Sequence, residues 1–173
     1  MPLDRQPTLE GPTLRARPMR EADRDALYAV ASDPLLWEQH PAHDRWQRPV
    51  FDELFDDGLA SGGALVVETL DGEVVGSSRY DRLHPGGRHV EIGWTFLARS
   101  RWGGQANGEL KRLMLEHAFA SVGIVVFRVG EANRRSRRAV EKLGAVEVGL
   151  EADPIADHVV YELARDVWRA SVR

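Results

Sequence analysis

The spacing of hydrophobic residues changes several times along the chain, and each change predicts a different element. Between residues 64 and 82, apolar and polar positions alternate, which is typical of half-buried β-strands. Asp71-Gly72 interrupts this stretch and is a strong two-residue hairpin signal. The pattern therefore predicts two antiparallel strands, over 64–70 and 73–82.

A third alternating segment, residues 89–97, is the centre of the predicted fold. Its apolar side chains occupy every second position and are expected on one face of the strand: Val90, Ile92, Trp94 and Phe96. A glycine-containing turn and an amphipathic helix over about 107–122 follow. The apolar residues of this helix cover more than half of its circumference, so we expect it to pack deeply against a sheet.

The remaining periodic segments complete a mixed α/β architecture. Further strands are predicted over 13–19, 124–129, 145–150 and 158–163. Further helices are predicted after Asp23, over about 50–59, over 133–143 and over 166–172. Hairpin strands followed by strand–helix units imply one mixed sheet with helices on both faces. Such a sheet binds ligands at the carboxyl ends of its strands, where the turn at 101–108 is located.

Length and composition predict one soluble domain. Residues 1–12 contain three prolines and little apolar material, so we predict a loose N-terminal arm before a single domain over 13–173. No apolar run approaches the roughly 20 residues that a membrane-spanning helix needs. The first residues also lack the apolar core of a signal peptide, so a cytoplasmic protein is expected.

Charge and cysteine content narrow the chemistry. The chain has no cysteine, which excludes disulfides, thiolate metal sites and a cysteine nucleophile. Its net charge of −4 argues against a nucleic-acid partner. The histidines are scattered without ligand spacing, so no metal site is predicted.

The turn before the 107–122 helix is the first candidate site. N–H groups at the start of a helix lack partners within the helix and, with the helix dipole, favour a phosphate or pyrophosphate. The turn reads Arg101-Trp102-Gly103-Gly104-Gln105-Ala106-Asn107-Gly108. It has neither a Walker lysine nor the G-x-G-x-x-G spacing, so a plain strand-to-helix connection remains the alternative.

Two further positions could carry chemistry. Asn133 suits a helix cap, and Ser136 lies one turn later on the apolar stripe, where its hydroxyl would bond its own backbone or a ligand. The arginines at 134, 135, 137 and 138 are expected to point outward. Glu91 is a carboxylate in mid-strand, which is costly unless it is functional or paired with an arginine such as Arg79.

Taken in order, these motifs resemble the GNAT superfamily of acyl-CoA-dependent N-acyltransferases, in particular the RimJ/RimL-like branch of ribosomal-protein N-terminal acetyltransferases. The resemblance runs from Leu14 to Trp168. It includes Leu-Arg-x-Arg-Pro at 14–18, Glu-Ile-Gly-Trp at 91–94, Trp-Gly-Gly at 102–104, Asn133-x-x-Ser136, Glu-Lys-Leu-Gly-Ala at 141–145 and Val-Val-Tyr-Glu-Leu at 159–163. The chain departs from the usual family pattern at Gln105, Asn107 and Val140.

The resemblance implies a mostly antiparallel sheet of six or seven strands, splayed between strands 89–97 and 124–129. Acetyl-CoA is the implied cofactor, with its pantetheine arm on the backbone of Trp94, Thr95, Phe96 and Leu97 and its pyrophosphate on the turn at 101–108. Asn133 and Ser136 would contact the pantetheine and the departing thiol. Trp37, His40 and Trp46 would border the acceptor cleft, and a homodimer is compatible with the family.

The expected reaction is direct attack of an amine on the thioester in a ternary complex, because no cysteine can carry the acyl group. Glu91 is the expected base, acting through water, and Ser136 the expected proton donor to sulfur. A backbone N–H near Trp94 or Phe96 would polarise the carbonyl. The acceptor would be a protein N-terminal α-amine or a small primary amine. The alternatives are a CoA-binding module without catalysis, such as a sensor, a succinyl or longer-chain transferase, and a ribosome-associated factor that uses the 134–138 arginines.

Overall fold

An eight-stranded sheet runs through the computed structural model, which describes residues 2–172. Its strands are β1 (Leu9–Glu10), β2 (Leu14–Pro18), β3 (Ala64–Thr69), β4 (Val74–Asp81), β5 (His89–Leu97), β6 (Ile124–Gly130), β7 (Val146–Glu151) and β8 (His158–Ala164). They lie in the order β1-β2-β3-β4-β5-β6-β8-β7, and only the β5–β6 pair is parallel. The mixed, mostly antiparallel sheet is confirmed, although it has eight strands where six or seven were predicted.

Five α-helices cover the sheet. They are α1 (Arg24–Ala31), α2 (Arg48–Ser61), α3 (Ala106–Phe119), α4 (Arg134–Glu141) and α5 (Arg165–Ser171). The hairpin predicted at Asp71-Gly72 joins β3 to β4, and Gly72 has the positive φ (90°) that such a turn needs. Gly62 ends α2 in the left-handed conformation, as expected for a glycine that closes a helix.

The additional strand comes from the N-terminal segment, residues 1–12, which the sequence predicted to be a loose arm. β1 pairs with β2 through Leu9 and Ala16, and Gly11 N–H donates to the carbonyl of Leu14 to close the hairpin. Leu3 is 7% exposed and joins the main core. The prolines fall outside the paired residues, so they do not interrupt the ladder.

Each face of the sheet has its own hydrophobic core. On one face α3 packs Leu110, Met114 and Phe119 into the larger core, which also holds Ile92 and Phe127. On the other face α1 and α2 enclose a smaller core that includes Leu27, Phe51, Phe55, Val66 and Phe96.

β5 contains a bulge, which changes the face on which its later residues lie. Arg79 pairs with Gly93, but Ser77 pairs with Phe96, so β5 has one residue more than β4 in this interval. Trp94 occupies this interval with φ of 50°, a conformation that costs a non-glycine residue roughly 1 kcal/mol or more. The guanidinium of Arg79 covers its ring at 4.3 Å.

The bulge corrects the prediction that four apolar residues share one face. Val90 and Ile92 pack toward α3, whereas Phe96 belongs to the core under α1 and α2. Thr95 and Leu97 face α3 instead, as shown by the Lys111–Thr95 hydrogen bond and by the place of Leu97 in the larger core.

β5 and β6 separate after only three paired positions. The parallel register ends at the pair Glu91–Val126. Beyond it, β5 continues beside β4 and β6 continues beside β8, so residues 92–97 and 127–130 border an opening in the sheet. The predicted splay between these strands is confirmed, and Glu91 lies at its vertex.

Candidate active site

The turn from β5 to α3 offers a row of free backbone donors. Among residues 2–172, no acceptor takes a hydrogen bond from the N–H groups of residues 103–108, and Glu109 is the first to donate back, to Gln105 at 2.8 Å. Gly103 provides the positive φ (72°) of the turn, whereas Gln105 is right-handed at −88°. Gln105 is therefore unstrained, and glycine is not required at that position. Six unpaired N–H groups at the start of a 14-residue helix suit an anion.

Trp102 anchors this turn to its surroundings. Its indole N–H donates to the carbonyl of Leu97 at 3.0 Å. The Arg135 guanidinium stacks on its ring at 3.8 Å and also bonds the carbonyl of Leu36. These contacts connect the end of β5, the turn and the start of α4, so the free N–H groups are held by a fixed frame.

Glu91 is deeply buried, with 3% of its surface exposed. Its carboxylate accepts a hydrogen bond from Arg128 on β6 at 2.7 Å and lies 3.4 Å from Arg82. Arg79, the partner considered from the sequence, pairs with Asp57 and Asp81 instead. Burial raises the pKa of Glu91 above its usual value, and the two arginines limit that rise.

Asn133 and Ser136 form the predicted cap of α4. The Asn133 side-chain oxygen accepts the N–H of Ser136 at 3.1 Å. Asn133 is buried, yet its amide nitrogen makes no hydrogen bond with any of residues 2–172, and neither does the half-buried hydroxyl of Ser136. Both groups therefore have hydrogen-bonding capacity left for a ligand.

The arginines of α4 do not all point into solvent as predicted. Arg134, Arg135 and Arg138 are exposed. Arg135 stacks on Trp102, and Arg137 bonds the Tyr161 hydroxyl at 2.8 Å and Glu147 at 3.2 Å. Arg137 therefore departs from the prediction, whereas Arg135 is exposed and still has a stacking partner.

The three residues expected at the acceptor cleft have different environments. Trp37 is 3% exposed, donates its indole N–H to the carbonyl of Ala31 and packs against Phe96, so it belongs to the core, and its place at the border of the acceptor cleft stays a prediction. His40 packs on Trp37 and lines a cleft of about 360 Å³. Trp46 is 39% exposed but does not line that cleft.

The cleft beside His40 is acidic. Glu38, Glu131 and Asp157 contribute to its wall. Burial, and secondarily the positive charge of Arg45, lower the pKa of His40 to about 3, so its imidazole is neutral. Gly130 lets the Pro41 ring close over the end of β6, since a Cβ there would lie 2.4 Å from the ring.

One polar residue near the opening has no counterpart in the sequence prediction. Lys111 lies on the inner side of α3, is 7% exposed, and donates to the Thr95 hydroxyl at 2.8 Å. A lysine within a helix normally indicates a solvated position, so hydrophobic periodicity alone gave no signal for it.

Neither a metal cluster nor a membrane-spanning helix is found in the described part of the chain. Residues 2–172 include no group of three or more His, Asp or Glu side chains placed to share a metal ion. Within these residues, no helix combines the length and apolar character needed to cross a bilayer.

Comparison with known families identifies the family to which the chain belongs. Residues 13–146 match the acetyltransferase (GNAT) domain. The chain belongs to the GNAT acetyltransferase family. It is accordingly an acetyltransferase, of a family that uses acetyl-CoA. No curated protein sequence matches it.

Solved GNAT structures agree with this assignment. A candidate acetyltransferase from T. thermophilus is 29% identical, with a TM-score of 0.75 over 94% of this chain and 92% of that one. Mycobacterium smegmatis RimJ, solved with CoA-disulfide, is 22% identical with a TM-score of 0.75 over 100% and 98% of the two chains. The spermidine N-acetyltransferase of Vibrio cholerae, solved with CoA and spermine, is 16% identical with a TM-score of 0.69 over 90% and 98%. The last two show a shared fold.

Proposed function

We propose that this GNAT acetyltransferase transfers the acetyl group of acetyl-CoA directly to a primary amine in a ternary complex. The observation that carries the proposal is the opening between β5 and β6, which starts at Glu91 and lies beside a turn with six unpaired N–H groups. The RimJ/RimL-like sequence motifs favour a protein N-terminal α-amine as acceptor, with a small amine as the alternative.

The residues around the opening fit the cofactor. The turn at 101–108, from Arg101 to Gly108, would hold the diphosphate through the N–H groups of 103–108. The side chains of Phe96 and Leu97 are buried in opposite cores, so this part of β5 offers its backbone to a pantetheine arm. The free amide nitrogen of Asn133 is a further donor for the arm.

The chain supplies the proton-transfer groups for the reaction. Bound acetyl-CoA would provide the acetyl group as a thioester. Glu91 would accept the proton of the amine through water, a role worth typically about 10²- to 10⁴-fold in rate. Ser136, whose hydroxyl is free, would donate a proton to the departing sulfur and regain one from solvent. Arg128 limits the rise in the pKa of Glu91 that burial causes, so Glu91 is still a weak base compared with an amine.

A weak base is sufficient for an N-terminal acceptor. An α-amine has a pKa of about 7.7–8.0, so roughly 10% is neutral at pH 7, whereas a lysine with a pKa of about 10.4 is almost fully protonated. The carboxylates of Glu38, Glu131 and Asp157 would attract a positively charged acceptor to the cleft beside His40. Trp46 would have a peripheral role.

Two measurements test the proposal. Calorimetric titration with CoA should show one site per chain, and a thiol-release assay with acetyl-CoA should detect turnover on N-terminal peptides or small cationic amines. Binding of CoA without thiol release across the amine panel would favour a sensor. Faster release from succinyl-CoA than from acetyl-CoA would contradict the acetyl preference, and absence of CoA binding would overturn the proposed function.

A further inference from the structure

Lys111 occupies an unusual position for a lysine. It extends from the sixth residue of α3 into the larger core, where 7% of its surface is exposed. Its ammonium nitrogen lies 2.8 Å from the Thr95 hydroxyl and 5.6 Å from the centre of the Phe127 ring. Thr95 is on β5 and Phe127 is on β6, both beyond the last paired position of the two strands. The ammonium group therefore spans the opening from its α3 side.

The hydrogen-bonding capacity of Lys111 is mostly unused. A protonated lysine has three donors, and within residues 2–172 only the Thr95 hydroxyl accepts one. No carboxylate of these residues lies within ion-pair distance. Thr95 in turn contacts the Ser78 hydroxyl at 2.8 Å, so the polar surroundings of the amine on β4 and β5 are two neutral hydroxyls.

Burial alone lowers the pKa of Lys111 to about 7, and no charged neighbour on the strands or on α3 offsets it. Burying an amine in this environment destabilises the folded protein, and one hydrogen bond offsets little of that cost. A purely structural role would be served better by methionine, which has a similar shape and no polar group.

We infer that Lys111 is a cofactor-binding residue of the opening, whose free N–H donors bond a carbonyl oxygen of the pantetheine arm. This inference rests on the proposed function, because it requires acyl-CoA between β5 and β6. The arm supplies the acceptor that the protein lacks, and the amine becomes fully protonated when the acceptor is present. Binding of CoA is therefore accompanied by proton uptake at Lys111.

The experiment is calorimetric titration of the whole protein with CoA at pH 7.5 in two buffers of different ionisation enthalpy, for the wild type, Lys111→Met and Lys111→Arg. A free amine with a pKa of about 7 predicts uptake of roughly 0.8 proton at pH 7.5. The wild type should exceed Lys111→Met by this amount. Subtraction removes the contribution of the phosphates of CoA itself.

Affinity and stability separate a binding role from a structural one. Lys111→Met should bind CoA about ten-fold more weakly, as expected for loss of a charged hydrogen bond, while its melting temperature stays equal to or above that of the wild type. Lys111→Arg keeps the donors and a permanent charge, so it should bind more tightly than Lys111→Met without additional proton uptake.

Unchanged affinity and unchanged proton uptake in Lys111→Met would overturn the inference while leaving the proposed function intact. A lower melting temperature with unchanged CoA binding would also overturn it, because the lysine would then be a packing residue. Failure of the wild type to bind CoA is a different result, and it would overturn the proposed function and this inference together.

Discussion

Arg128 donates a hydrogen bond over 2.7 Å to the carboxylate of Glu91, reaching from β6 to β5 at the vertex where the two strands part. Burial and this arginine act on Glu91 in opposite directions. Burial raises its pKa and Arg128 lowers it, so the pH at which Glu91 ionises depends on its contact with Arg128. If Glu91 is the base, the pair also determines where activity appears on the pH scale.

Replacing Arg128 with methionine should move the acidic limb of the pH–rate profile to higher pH. The base must be ionised, and removal of the arginine disfavours the ionised form. The profile should be measured with the best acceptor from the amine panel. Glu91→Gln should lower kcat by about 10²- to 10⁴-fold.

Arg128→Lys is the matched control, since it keeps the charge and should leave the limb close to its wild-type position. A wild-type kcat in Glu91→Gln, together with a lowered melting temperature, would show that the Arg128–Glu91 pair is structural and that another group is the base.

A side chain at Gly104 should block the turn without disturbing the fold. A Cβ there would meet only the carbonyl of Arg101, at 3.9 Å, so Gly104→Val has room within the protein. The valine would prevent a diphosphate from approaching the backbone N–H groups, and we expect CoA affinity to fall about ten-fold or more, by loss of one or two charge-assisted hydrogen bonds. Titration with CoA measures the effect.

Gly149→Val provides the comparison, because Gly149 lies on β7 with open space around its Cα. Its CoA affinity should match the wild type. Equal affinities for the two variants would mean that the turn does not hold the diphosphate.

Lys111 should make the stability of the protein rise with pH above neutrality, relative to a variant that lacks the amine. Its folded pKa of about 7 lies below that of an unfolded lysine, about 10.4, so between these values the unfolded chain binds a proton that the folded chain does not. The free energy of unfolding should therefore increase by at most about 1.4 kcal/mol per pH unit relative to Lys111→Met. Urea unfolding at pH 7, 8 and 9 tests this, and parallel curves for the two proteins would contradict it.

Asp23 should stabilise the fold at neutral pH and lose this effect in acid. Its carboxylate accepts bonds from Arg17 at 2.8 Å and from the Arg20 N–H at 2.8 Å. Burial opposes its ionisation, but these donors outweigh burial and lower its pKa. A lowered pKa gives stability that is present above the unfolded value, about 3.9, and is lost as pH falls through the folded value.

We expect Asp23→Asn to reduce the free energy of unfolding by about 1–3 kcal/mol at pH 7 and by less at pH 3.5, as measured in urea. Asp25→Asn is the control, because Asp25 pairs with Arg48 through a side chain that is 86% exposed, and its loss should cost less than about 0.5 kcal/mol. Equal losses at both sites would contradict the role of burial in this argument.

The sequence predicted features that depend on local residue patterns or on the motifs shared with a known family. The hairpin at Asp71-Gly72 and the opening between β5 and β6 were both anticipated, the first from turn chemistry and the second from the family resemblance. Anion binding by the turn at 101–108 is still a prediction, and the unpaired N–H groups of the turn support it.

What escaped prediction depends on contacts between distant residues. Arg128 is 37 positions from Glu91, and no local pattern identifies it as the partner. The buried environment of Trp37 arises because the irregular segment folds under Phe96. The inward position of Lys111 was not predicted either, because a lysine in a helix is normally expected to be exposed.

The bulge at Trp94 has a consequence for how this strand can vary. If residue 94 is left out of the count, the side chains of Ile92, Thr95, Phe96 and Leu97 alternate between the two faces as in a strand without a bulge. Excising that tryptophan would thus merge the two registers into one continuous ladder and leave both cores with the same side chains. The packing of the two cores therefore does not account for the inserted residue or for its strained φ.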